Sequence, residues 1–217
     1  MKTFLKILSV SIVFLSTPIF SQDHLLSETY TTFNPSHLNS FSGMMGFNSS
    51  LTKSADLSNF AFSYGRKMND YWLDTNLLVT TGLFHKFSSN NPTATGATDD
   101  DLAEQENSLT TFGVGIGRET RYAQTLLPFN DIYELMAANL TYNSYKEDFS
   151  GKSFTGPGLL AKFAVYKRFG DYFSAGAHLN YNLAVVKRAE ELEGETNSQK
   201  SLTLGFLTLG FNLTLYL

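Results

Sequence analysis

The chain contains no cysteine. That excludes disulfide staples, a lipid-bearing anchor cysteine and thiolate metal sites. Charge is scarce as well: 17% of residues are charged and the net charge is −4. Such a balance gives no reason to expect nucleic acid as a partner. A third lack is a long apolar run. Beyond residue 22 no stretch approaches the ~18 apolar residues that a membrane-crossing helix requires.

What is plentiful is aromatic: 19 Phe and 11 Tyr among 217 residues. Residues 1–22 read as a secretory signal. Lys2 and Lys6 make the positive start, Ile7 to Leu15 the apolar run, and Pro18 ends it. Ser21 is a small residue fit for cleavage. An exported, cysteine-free chain without a spanning helix leaves two classes. One is a soluble periplasmic or secreted protein. The other is an outer-membrane barrel, which satisfies its backbone hydrogen bonds inside lipid by closing on itself.

The last strand separates these classes best. Leu207, Leu209, Phe211, Leu213, Leu215 and Leu217 alternate with Thr208, Gly210, Asn212, Thr214 and Tyr216. Strict period two means one apolar and one polar face. The run is as long as a tilted membrane strand requires. Similar segments recur upstream after a polar lead over residues 23–40, expected on the periplasmic side. Phe60, Phe62 and Tyr64 oppose Asn59, Ser63 and Gly65; Leu73, Leu77 and Val79 oppose Asp74, Asn76 and Thr80. Phe112, Val114 and Ile116 oppose Gly113, Gly115 and Gly117. The pattern predicts an all-β, eight-stranded antiparallel transmembrane β-barrel over residues 41–217, in up-and-down meander order. One strand, over residues 131–146, shifts phase near Met136, as a β-bulge would make it do.

Connections support the same architecture. Asn69-Asp70 and Gly170-Asp171 are tight-turn signals, whereas residues 88–107 and 190–199 are long and acidic. Outer-membrane barrels place short turns on the periplasmic side and long loops outside. An even strand number then puts both termini in the periplasm. A soluble lipid-carrier barrel would show Lys and Glu on its exposed face. Here the face opposite the apolar one is Gly, Ser, Thr and Asn. Aromatic residues fall at strand ends: Tyr71, Trp72, Tyr122, Phe129, Tyr133, Phe169, Tyr172, Phe173 and Tyr216 at the short-turn ends. Phe84, Phe87, Tyr142, Tyr145 and Phe154 fall at the other. Both sets are expected as girdles at the lipid boundaries.

On these residues the chain resembles the small outer-membrane β-barrels of the OmpA-like and OmpW-like kind. The end of the last strand carries the closest motif: Gly210, Leu213, Leu215 and Leu217 are similar to the C-terminal signal read by the barrel assembly machinery. Leu217 stands where that family usually ends in an aromatic residue. The resemblance implies an integral protein of the bacterial outer membrane. Its expected partners are membrane lipid and lipopolysaccharide, with the assembly machinery and periplasmic chaperones during biogenesis.

Eight strands enclose an interior that side chains fill. Lys67, Asp74, Glu119, Arg121, Glu134 and Lys162 are expected inside it, paired, because an unpaired buried charge is costly. His178, Asn180 and Asn182 are expected to line the lumen at mid-strand. Small outer-membrane lipid-modifying enzymes use a His with a Ser. Ser174 shares a face with His178 but lies four residues away, too far along a strand for direct contact. Asp99, Asp100 and Asp101 lack the spaced order of a calcium loop. Gly113, Gly115 and Gly117 do not make a dinucleotide fingerprint, since Arg118 follows and no helix does. No catalytic residue, metal or cofactor is therefore assigned. The function expected is a non-enzymatic barrel contributing to envelope structure or surface contacts. A narrow channel for small or apolar solutes is the alternative, and a lipid-modifying enzyme stands third.

Overall fold

The computed structural model describes residues 37–50, 53–84, 107–122, 131–146, 153–188 and 201–217. The signal segment, most of the N-terminal lead, Phe87, Phe129 and both long acidic loops lie outside the described residues. Eight strands close into an antiparallel barrel in chain order. They are β1 (Asn39–Ser50), β2 (Lys53–Met68), β3 (Tyr71–Gly82) and β4 (Asn107–Thr120), then β5 (Ile132–Lys146), β6 (Ser153–Phe169), β7 (Phe173–Arg188) and β8 (Ser201–Tyr216). β1 closes on β8 in a ladder from Ser40↔Tyr216 to Phe47↔Leu209.

Alternation sets the two faces. Along β8, Leu207, Leu209, Phe211, Leu213, Leu215 and Leu217 are exposed, while Thr208, Asn212 and Thr214 are buried. An apolar exterior around a polar interior is the reverse of a water-soluble barrel. The exposed charges on the described outward strand positions are all basic, and they stand near strand ends. Arg66, Arg118 and Lys167 lie toward the short turns, Lys146 and Lys187 toward the long loops.

Turn chemistry follows the sequence. Asn69 has φ 57° in the β2–β3 turn and Gly170 has φ 71° in the β6–β7 turn. Asn and Gly are the residues that tolerate the left-handed region. Both turns and both barrel termini lie at the same end, where Asn39 N donates to Leu217 O at 3.0 Å.

Three expectations fail. The β4–β5 register runs without a break from Ser108↔Lys146 to Thr120↔Glu134, so no bulge occurs near Met136. The strand that the sequence predicts from Tyr71 to Phe87 stops at Gly82, where φ is 135° and the chain turns. Several girdle aromatics face inward: Trp72, Phe84, Tyr133, Tyr145, Phe154 and Tyr216 are all buried. Level along a strand does not decide side; each residue step reverses it. Tyr71, Tyr122, Tyr142, Phe169 and Tyr172 do stand exposed on the outside.

Candidate functional site

The lumen is the place where polar and charged side chains converge, and it has three storeys. Nearest the short turns, Glu119 of β4 is 1% exposed and collects three donors. Trp72 Nε1 of β3 donates at 3.1 Å, Arg168 of β6 at 2.6 Å, and the Tyr166 hydroxyl bonds the same carboxylate. Arg168 is sandwiched, its guanidinium carbon 4.3 Å from the Tyr216 ring centroid and 4.7 Å from that of Tyr133. A planar guanidinium that bonds a carboxylate in plane and stacks on rings through its faces is held in one geometry. Ser174 Oγ lies 3.0 Å from Tyr216 OH, which ties that ring to β7.

The middle storey centres on a second pair. Lys162 Nζ of β6 lies 2.8 Å from Asp74 Oδ2 of β3, across the barrel. Asn76 and Asn139 donate to the same carboxylate at 2.9 and 3.2 Å, and Lys162 also donates to Asn76 Oδ1 at 2.6 Å. Gly115 is the ladder partner of Asp74. A Cβ there would meet the Ala138 carbonyl oxygen at 2.0 Å. Only glycine permits β4 and β5 to approach so closely. His178, Asn180 and Asn182 are each at most 2% exposed on the same storey. Asn182 donates to Thr111 at 3.2 Å, and Thr111 donates to Asn143 at 2.7 Å.

The third storey, toward the long loops, is apolar. Leu57, Leu109, Ala184, Val186, Leu202 and Leu204 pack with Phe84, Tyr145, Phe154 and Phe206 in one buried cluster. Phe84 meets Tyr145 and Phe206 edge to face, with ring centroids 5.5 and 5.6 Å away. Offset and edge contacts of this kind add to the burial of apolar area.

The six expected lumen charges divide. Asp74, Glu119 and Lys162 join the pairs just described. Lys67 faces inward and is buried, but its ammonium has only the Trp72 ring, at 5.8 Å, and no hydrogen-bond partner among the described residues. Glu134 corrects the expectation. It pairs in register with Thr120, on the outer side of the sheet, and accepts from Thr120 Oγ1 at 2.7 Å and Tyr122 N at 3.0 Å. It anchors the chain where β4 ends, on the outer face of the sheet. Arg121 lies past the end of β4, half-buried, and bonds the Tyr133 hydroxyl while stacking 4.6 Å from its ring centroid. The cation that meets Glu119 is Arg168, a residue absent from the six expected lumen charges. Carrying the inward phase of Lys162, Ala164 and Tyr166 one step further finds it. The apolar third storey is equally hidden from the pattern, because there the faces trade character: inward Leu202, Leu204 and Phe206 alternate with outward Thr203 and Gly205.

The His178–Ser174 pairing expected of a lipid-modifying enzyme is not formed, since Ser174 is engaged by Tyr216. No group of three metal-ligating side chains stands together among the described residues. At the C-terminal motif, Gly210 faces inward against Gly46, and Leu213, Leu215 and Leu217 point outward.

No family model matches the chain, and no curated protein does. Solved structures do. Neisserial surface protein A aligns with a TM-score of 0.50 at 14% identity, covering 83% of this chain and 96% of that one. Ail, the attachment invasion locus protein of Yersinia pestis, gives 0.36 at 13% identity, covering 82% and 96%. A major outer membrane protein from Thermus thermophilus gives 0.34 at 13% identity, covering 82% and 100%. The likeness to the neisserial protein is one of fold, and the fold is that of the small eight-stranded outer-membrane β-barrels.

Proposed function

We propose that this chain is an integral barrel of a bacterial outer membrane, non-enzymatic, with a lumen closed by its own side chains. Its role is envelope structure or surface contact, with both termini on the periplasmic side. The observation that carries the closed-lumen reading is the Glu119–Arg168 pair, at 2.6 Å and almost wholly buried, wedged between Trp72, Tyr133, Tyr166 and Tyr216. A plug in which charges neutralise each other and rings fill the remaining space leaves ions no hydrated path. Planar-bilayer recording tests it: wild-type protein should give no large, steady conductance, and such a conductance would overturn the reading. Outer-membrane location is tested by fractionation and heat-modifiable migration. Recovery in the soluble periplasmic fraction would refute it.

Membrane partners follow from the wall. Apolar outward residues suit acyl chains, and the basic residues at both ends suit anionic headgroups, lipopolysaccharide among them. The C-terminal strand supports recognition by the assembly machinery, with periplasmic chaperones before it. One observation favours the second reading, a narrow path for small apolar solutes: the third storey of the lumen is lined by apolar side chains.

A further inference from the structure

The apolar storey contains one member unlike the rest. Leu57, Leu109, Tyr145, Val186, Leu204 and Phe206 belong to strands, each held in register by its ladders. Phe84 does not. It sits two residues beyond the end of β3 and is 0% exposed. The chain delivers it there through Gly82, whose φ of 135° is one that residues with a Cβ rarely adopt. The ring can therefore leave the lumen without breaking a strand pair. What it would leave behind is a pocket about one aromatic ring in size. The apolar side chains around it are Leu, Val, Ala and aromatic rings, and below it some of the inward groups are bonded to one another, as Thr111 is to Asn143 and Asn182.

We propose that the upper lumen is a binding site for a single uncharged apolar group, a monocyclic ring or short alkyl chain, which Phe84 occupies in this conformation and which a ligand takes by displacing it. A charged ligand would give up its hydration against those walls with nothing in exchange. An apolar ligand of the right size recovers the contacts that Phe84 makes. The chain thus carries a built-in competitor, and its presence lowers apparent affinity by the fraction of time the ring is out.

The inference rests on the closed-barrel reading, and the two fail separately. A conducting wild type would sink that reading. Lack of ligand binding in a non-conducting barrel would sink only this one. The experiment is a fluorobenzene titration, read by fluorine NMR, on full-length protein refolded in lipid nanodiscs. Partition into lipid rises linearly, whereas a site saturates. Phe84→Ala should bind about tenfold or more tighter than wild type. Gly82→Ala, which makes the inward turn unfavourable, should fall between them. Tyr142→Ala, altered on the exposed outer wall, should match wild type. A folded Phe84→Ala without saturable binding, or with wild-type binding, overturns the proposal. If that variant does not refold, Gly82→Ala decides: tighter binding supports the site and unchanged binding refutes it.

Discussion

The two ends of the lumen are closed by different physics. At the short-turn end a buried carboxylate, a guanidinium and four aromatic rings interlock through directional bonds. At the long-loop end, apolar side chains simply pack. The first closure specifies geometry, because each partner is costly to leave alone. The second is tolerant of shape change, since apolar packing is lost in proportion to area and cavity. That contrast explains why the displaceable ring sits at the apolar end. Neither Glu119 nor Arg168 can leave the ionic end without stranding the other's charge.

Substitutions sharpen the contrast. The largest effect should come from Glu119→Ala, which strips Arg168, Trp72 and Tyr166 of their common acceptor. About 3–5 kcal/mol of folding free energy should be lost, as for breaking a buried pair from one side. Reversible unfolding from lipid vesicles measures it, and a loss below about 1 kcal/mol would mean that water reaches the site. Leu204→Ala at the other end should cost about 2–4 kcal/mol by leaving a cavity. Arg121→Ala should cost less, about 1–2 kcal/mol, because Arg121 is half-buried beyond β4, where water can replace part of what the Tyr133 hydroxyl and ring give it. An equal loss for Arg121→Ala and Arg168→Ala would erase the distinction drawn between them. Smallest of all is the coupling between the ends. Glu119→Ala and Leu204→Ala should add to within about 0.5 kcal/mol, as independent sites do. A larger departure would show that the two closures are one.

Much of the architecture is legible in the sequence, and the reason is period two. Where one face is apolar and the other is Gly, Ser, Thr or Asn, as in Leu207 to Leu217, the strand, its direction and its lipid face can all be read. The Asp74–Lys162 storey is legible for the same reason. Legibility fails where the contrast between faces inverts. In Leu202-Thr203-Leu204-Gly205-Phe206-Leu207 the apolar phase switches between Phe206 and Leu207 while the register with β7 runs on unbroken. The sequence predicts the strand from near Lys200 but does not show which way its faces turn there. The switch is the passage from an apolar to a polar storey of the lumen. Glu134 shows the opposite failure: burial is not the same as facing inward, since a carboxylate can be covered on the outer side while capping a neighbouring strand's end. Arg168 is missed because the inward phase of Lys162, Ala164 and Tyr166 is not carried to the end of the strand.

The seam between β1 and β8 has a consequence for how the ring comes to exist. Every other ladder joins strands adjacent in the chain, so each can form as a hairpin or short-range closure. The seam joins Ser40 to Tyr216 and Phe47 to Leu209, residues from opposite ends of the domain. Above Leu209, β8 is paired with β7 alone among the described residues. Loop-closure entropy weighs most on that long-range contact, and contacts of that kind form slowly. Closure of the β1–β8 seam is therefore the step on which this barrel's assembly is expected to wait, with two strand edges open until it forms. While that seam is open, unpaired amides along two edges let a neighbouring chain's strand compete for the same bonds.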